Sequence, residues 1–191
     1  MRNIEALHAK QYWQAFYKEL GAPAGFHRRD SNPYSQALDA NSKFVSSIIL
    51  RWISYHHMSP YHGFLHEPSD YPALMYDLFE PYRSLFDQHF LRAWKLGGMR
   101  TDPKTLTPAT IAISKEVLNN KVYVPLTRQI VTYQELLHGV VISLKYYLND
   151  NEKRFLIPLP GKPNGGRPSK VKFYYTADMQ DGRTSGMKRY A

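Results

Sequence analysis

The chain has 191 residues, 43% of them apolar and 14% aromatic, enough for one cored domain with or without a tail. Its net charge of +9 makes a polyanion the first partner to consider. The lack of cysteine excludes disulfides, zinc–thiolate centres and thiol nucleophiles, and agrees with a reducing, cytoplasmic setting. No apolar run approaches the roughly 18 residues of a membrane span, and no apolar h-region opens the chain.

Residues 3–20 have helical spacing through Ile4, Leu7, Phe16 and Leu20. Glu5, His8 and Tyr12 form a second stripe at i, i+3 and i+7; taken alone, Glu5 reads as a first-turn acid complementing the helix dipole. Gly21 to Pro33 reads as a loop holding Arg28 and Arg29, a basic pair suited to phosphate contact. Asn32-Pro33 is a cap followed by proline, opening a helix over about 34–57 with Leu38, Phe44, Val45, Ile48, Ile49, Trp52 and Ile53 on a wide apolar face. His56, His57, His62 and His66 follow in quick succession, but their spacing fits no zinc pattern, so at most one is expected to be a ligand.

The stretch from His57 to Arg83 carries the chemistry. A Gly-Phe-Leu-His turn leads into an apolar run bearing Asp77, Glu80 and Arg83, which fall at i, i+3 and i+6 on one helical face. Most such acids are solvated, with Arg83 an ordinary partner for Glu80. Here Leu74, Leu78 and Phe79 predict a largely buried helix, and buried charges need partners. Pro81 cannot donate to the carbonyl of Asp77, which predicts a bend there. Two carboxylates with an upstream imidazole make a mixed N/O donor set for a divalent ion, and His66 is the preferred nitrogen ligand.

This helix is expected over about 72–94. Thr107-Pro108 predicts a short helix ending near Asn119-Asn120, and 122–126 reads as an extended segment that Pro125 keeps from being an inner strand. Thr132 and Glu135 form a capping box before an apolar helix ending near Asn149. After Phe155 the composition turns to proline, glycine and base, with Arg167, Lys170 and Lys172 available for sequence-independent phosphate contacts and Tyr174, Tyr175 and Tyr190 for stacking.

Three segments in order resemble the CRISPR-associated spacer-acquisition integrase/endonuclease family. They are Ile4-Glu5-Ala6 with Tyr12-Trp13, ALDANSKFVSSIILRW leading into SPYHGFLHE, and YDLFEPYR; together they span most of residues 1–157. The resemblance implies an all-α fold, a single helical catalytic domain of the CRISPR integrase type over 1–157, with a basic flexible C-terminal tail at 158–191. It implies Glu5, His66 and Glu80 as ligands of Mg2+ or Mn2+, Asp77 beside the metal or sharing it, and Arg83 holding the acidic cluster or a phosphate. Glu67 is a decoy beside His66. Asp39 stands where the family usually has asparagine, with Asn41 two residues on. The chain begins at the first ligand helix and so looks like the compact mini-integrases, a form lacking the family's N-terminal β-domain and associated with action without its small partner protein.

The implied reaction is transesterification, in which a DNA 3′-hydroxyl is joined into a CRISPR repeat during spacer acquisition, an antiviral defence. The implied partners are double-stranded DNA, as donor fragment and repeat, and further copies of the chain in a dimer or tetramer, with no membrane. Two competing readings stand beside it: a non-catalytic helical DNA-binding protein, and a metal-dependent nuclease that does not integrate.

Overall fold

The computed structural model describes residues 2–21, 31–66, 71–96, 103–149 and 153–163, with the side chains of 2–6, 93, 96 and 103–104 outside that description. Among these described residues the regular structure is five helices and one small hairpin: α1 (Arg2–Leu20), α2 (Pro33–Tyr55), α3 (Ala73–Leu96), α4 (Pro103–Leu118), β1 (Lys121–Val124), β2 (Gln129–Thr132) and α5 (Tyr133–Leu148). The all-α expectation holds. The chain divides into two compact units, Met1–Ser42 with Leu85–Ser114, and Lys43–Ser84 with Lys115–Ala191.

The first unit is built on aromatic residues. Phe16 and Leu20 of α1 are buried with Ala37 and Leu38 of α2, Phe90 and Trp94 of α3 and Leu106 of α4. The rings of Phe16 and Phe90 lie 6.5 Å apart, and Trp13 stacks on Tyr17 at 5.6 Å. Buried Asp87 accepts a hydrogen bond from the Tyr12 hydroxyl at 3.1 Å. Asn32 caps α2 as its sequence indicates: its side-chain oxygen accepts from the Ser35 amide at 2.8 Å, and Pro33 opens the helix. Buried Asn41 accepts from the Ser114 hydroxyl.

Helix α4 departs from expectation. It starts at Pro103, and Pro108 lies inside it. Pro103 offers the same preset φ as Pro108 more than a turn earlier, and a helix can absorb the one backbone bond that Pro108 removes when its apolar face is anchored. Leu106 and Thr110 are buried within that first stretch, and the Thr110 hydroxyl donates to the Leu106 carbonyl at 2.8 Å.

The second unit buries Val45, Ile49, Trp52 and Ile53 of α2, Leu74, Leu78, Phe79 and Tyr82 of α3, and Leu136, Leu137, Val140, Val141 and Leu144 of α5. The extended segment at 122–126 is half of a hairpin. β1 pairs antiparallel with β2, Lys121 opposite Thr132 and Val124 opposite Gln129, with Arg128 in the left-handed region at φ 54. Thr132 then caps α5: the Glu135 amide donates to its hydroxyl oxygen at 3.2 Å, and the Glu135 carboxylate accepts from the Thr132 amide at 2.7 Å.

Residues 155–161 run along this unit. The Tyr82 hydroxyl donates to the Pro158 carbonyl at 2.7 Å, the Ser143 hydroxyl to the Leu156 carbonyl, and the Gly161 amide to the Tyr123 carbonyl at 2.9 Å.

Candidate metal centre

The end of α2 delivers the chain to this site. The Met58 amide bonds the Ile53 carbonyl at 3.1 Å and the His57 amide bonds that of Ser54 at 3.0 Å, the two closures of a Schellman turn, with His57 at φ 57. The following loop runs to His66 and is tied to α3 by the Leu74 amide donating to the Pro60 carbonyl at 2.9 Å.

Asp77 organises this loop. It is buried and its carboxylate takes three donors: the Phe64 amide and the Leu65 amide (2.9 Å) on Oδ2, and His66 Nδ1 on Oδ1. Desolvating a carboxylate is costly unless it is fully bonded, and three charge-assisted hydrogen bonds meet that condition. Gly63 is required by space rather than by φ. A methyl group there would lie 2.6 Å from Asp77 Oδ2, 2.9 Å from the His66 carbonyl oxygen and 3.0 Å from Ala73 Cβ. The Gly-Phe-Leu-His turn thus works as a unit, with glycine letting the loop close on the acid and the next residues supplying the donors.

The bond to Asp77 leaves Nε2 as the outward nitrogen of His66, whose side chain is 40% exposed. A carboxylate on one ring nitrogen fixes the tautomer and turns the other into an oriented lone pair, the usual second partner of a metal-bound histidine. Glu80, one turn beyond Asp77, is partly exposed and pairs with Arg83, Nη2 to Oε1 at 2.7 Å. Arg83 carries its guanidinium 5.7 Å from the Phe79 ring centre, and its buried Nε finds no partner among the described residues.

His66, Asp77, Glu80 and Arg83 all belong to the second unit, which brings His66 and Asp77 into direct contact. Glu5 lies in α1 by its backbone, but its side chain is outside the described residues, as are Arg28, Arg29, Glu67, Arg167, Lys170 and Lys172. Among the described residues no three of His, Asp and Glu gather as a metal site. The donor chemistry of His66 and Glu80, one oriented imidazole nitrogen and one accessible carboxylate, fits a divalent cation of the Mg2+ or Mn2+ kind.

Beside the loop lies a cavity of about 850 Å3, lined by Gly63, Phe64, Leu74, Tyr147, Phe155 and the cations Lys153 and Arg154, among others. Phe64 and Phe155 meet edge to face at 5.8 Å.

The helical arrangement has counterparts among solved structures. It superposes on a casposase bound to integration product with a TM-score of 0.71 at 22% identity, over 85% of this chain. The chain spans about half of that protein, 53%. A Cas1 protein from Thermotoga maritima superposes with a TM-score of 0.53 at 16% identity, over 60% of this chain and 40% of that one. No curated protein matches the sequence. The family described as CRISPR associated protein Cas1 matches residues 1–120, and the chain belongs to that family.

Proposed function

We propose that this chain is a divalent-metal-dependent DNA integrase/endonuclease that joins DNA 3′-hydroxyl ends into a CRISPR repeat. The observation that carries the reading is the His66–Asp77 pair inside the Gly63 turn. Membership of the Cas1 family supports it, as does the net charge of +9, which suits two DNA duplexes. In the reaction a 3′-hydroxyl oxygen bonds to phosphorus as the bond to the leaving 3′-oxygen breaks. The number of phosphodiester bonds is unchanged and no ATP is consumed.

His66, through Nε2, and Glu80 would hold a Mg2+ or Mn2+ ion, with Glu5 as third ligand on the sequence resemblance. The bound ion supplies charge neutralisation for the scissile phosphate and the leaving oxygen. The chain's own residues do the rest. Asp77 positions the imidazole and the loop backbone, Arg83 steadies Glu80, and the cavity beside Phe64 receives bases next to the reacting end, with Lys153 and Arg154 on their phosphates.

The test is strand transfer of short duplex donors into a supercoiled repeat plasmid with Mn2+. Glu5→Ala, His66→Ala and Glu80→Ala should each abolish joined product, and EDTA should do so for wild type. Asp77→Asn keeps the shape but weakens the hold on Nδ1, and should cost about 10–100-fold in activity at limiting metal. Joining by His66→Ala and Glu80→Ala at the wild-type rate would refute the assignment. Cleaved but never joined plasmid would point to a nuclease instead.

A further inference from the structure

Tyr71 stands beside the imidazole that the proposed reaction uses. The Tyr71 and His66 ring centres are 6.5 Å apart and their planes cross at 78°. Tyr76 of α3 meets Tyr71 in the same manner, centre to centre 5.7 Å and at 69°. Edge-to-face contact is a favoured aromatic geometry, and two such contacts orient a side chain that has only two torsions. The backbone is set as well. Pro72 keeps Tyr71 out of the helical region, and the Ala73 amide donates to the Tyr71 carbonyl at 2.8 Å where α3 begins.

Tyr71 nevertheless keeps 39% of its surface exposed. A ring that served only to fill the core would be buried, as Phe79 and Tyr82 of α3 are. A lone exposed tyrosine is ordinary on a protein surface; what distinguishes this one is its place. Its ring neighbour, His66, turns Nε2 outward. A phosphodiester brought to that nitrogen carries its deoxyribose and base with it, and the adjoining ring lies within their reach. The sequence indicates which part of the nucleotide it meets. Residues 67–71 read EPSDY, two acids and no base, which offers nothing to a phosphate. Every nucleobase has a π-face, and stacking on an aromatic side chain tolerates any sequence.

We infer that Tyr71 stacks on a nucleobase adjoining the phosphate held at His66. The reacting nucleotide is then held by its base as well as by its phosphate, on a ring already oriented by His66 and Tyr76. The inference rests on the proposed function, which places the phosphate at His66.

The probe is a branched DNA whose donor 3′ end is already joined to one repeat strand, with single abasic sites introduced in turn at the nucleotides flanking the joint. Binding to the full chain is measured by anisotropy in EDTA, so that no ion contributes. Tyr71→Ala should weaken binding to the intact branched DNA about 5–100-fold. It should have no effect on the one probe whose missing base is the partner of Tyr71, because that contact is already gone. General loosening of the loop would instead weaken all probes alike. Tyr71→Phe keeps the ring and should bind as wild type; a Phe variant as weak as the Ala variant would assign the contact to the hydroxyl and overturn stacking. Equal losses on every probe, or none on any, overturn the inference. Strand transfer by the wild type is run alongside. A chain that joins DNA without the coupling refutes the role of Tyr71 alone, and one that shows the coupling but never joins DNA refutes the integrase reading alone.

Discussion

Asp77 has no solvent and three donors, so its environment leaves no room for adjustment. Gly63→Ala would force a methyl group against its Oδ2 at 2.6 Å, where the opposing atoms are a held carboxylate and backbone rather than a flexible tip. The expected result is a loss of roughly 1–3 kcal/mol in a urea melt, in line with overpacking of a tight site. Strand transfer should fall more than stability does, because the displaced loop carries His66. The motif's residues are visible in the sequence, and so is the pairing of Glu80 with Arg83. What the sequence hides is direction: spacing places Asp77 and Glu80 on one face, but not that Asp77 turns both oxygens back to the loop. His138 was equally hidden, since one histidine in the apolar stripe of α5 carries no signal until α2 brings His56 against it.

Among the described residues periodicity marks all five helices, although in α1 Leu7, part of the expected apolar stripe, is exposed. Asn32-Pro33 and the Thr132–Glu135 box were legible as local chemistry. The start of α4 was not, because two prolines offered the same signal and only the burial of Leu106 decides between them. β2 carries no signal of its own in the sequence, because a four-residue strand running straight into a capping box has too little length to show alternation. The end of α2 invites a test. His57 holds φ 57, a conformation glycine adopts without the steric cost borne by a Cβ. His57→Gly should therefore raise stability by about 0.5–1 kcal/mol in chemical denaturation. No gain would mean that the His57 ring makes a compensating contact.

Acid should weaken the whole molecule, and the His56–His138 contact is one reason. Burial first, then the charges of His56 and Arg51, lower the His138 pKa to about 3; burial first, then Lys145 and His57, lower that of His56. Groups with depressed folded values stay neutral in the native state while the unfolded chain takes up protons. Their contribution is complete above about pH 6.5 and drains away as pH falls towards 3, with a limiting slope of about 1.4 kcal/mol per pH unit for each proton. Urea midpoints should drop between pH 7 and pH 5, and His138→Phe should flatten that drop; equal slopes in both proteins would remove His138 as the cause. The Tyr82 phenol carries a different consequence at this scale. Burial lifts its pKa well above the usual range, so it stays a donor, and its acceptor is the backbone oxygen of Pro158. Shortening the polypeptide therefore has a natural stopping point. A version ending at residue 163 keeps that oxygen, whereas one ending at 157 strands the hydroxyl in the interior and should melt roughly 3–10 °C lower, the equivalent of about 1–3 kcal/mol.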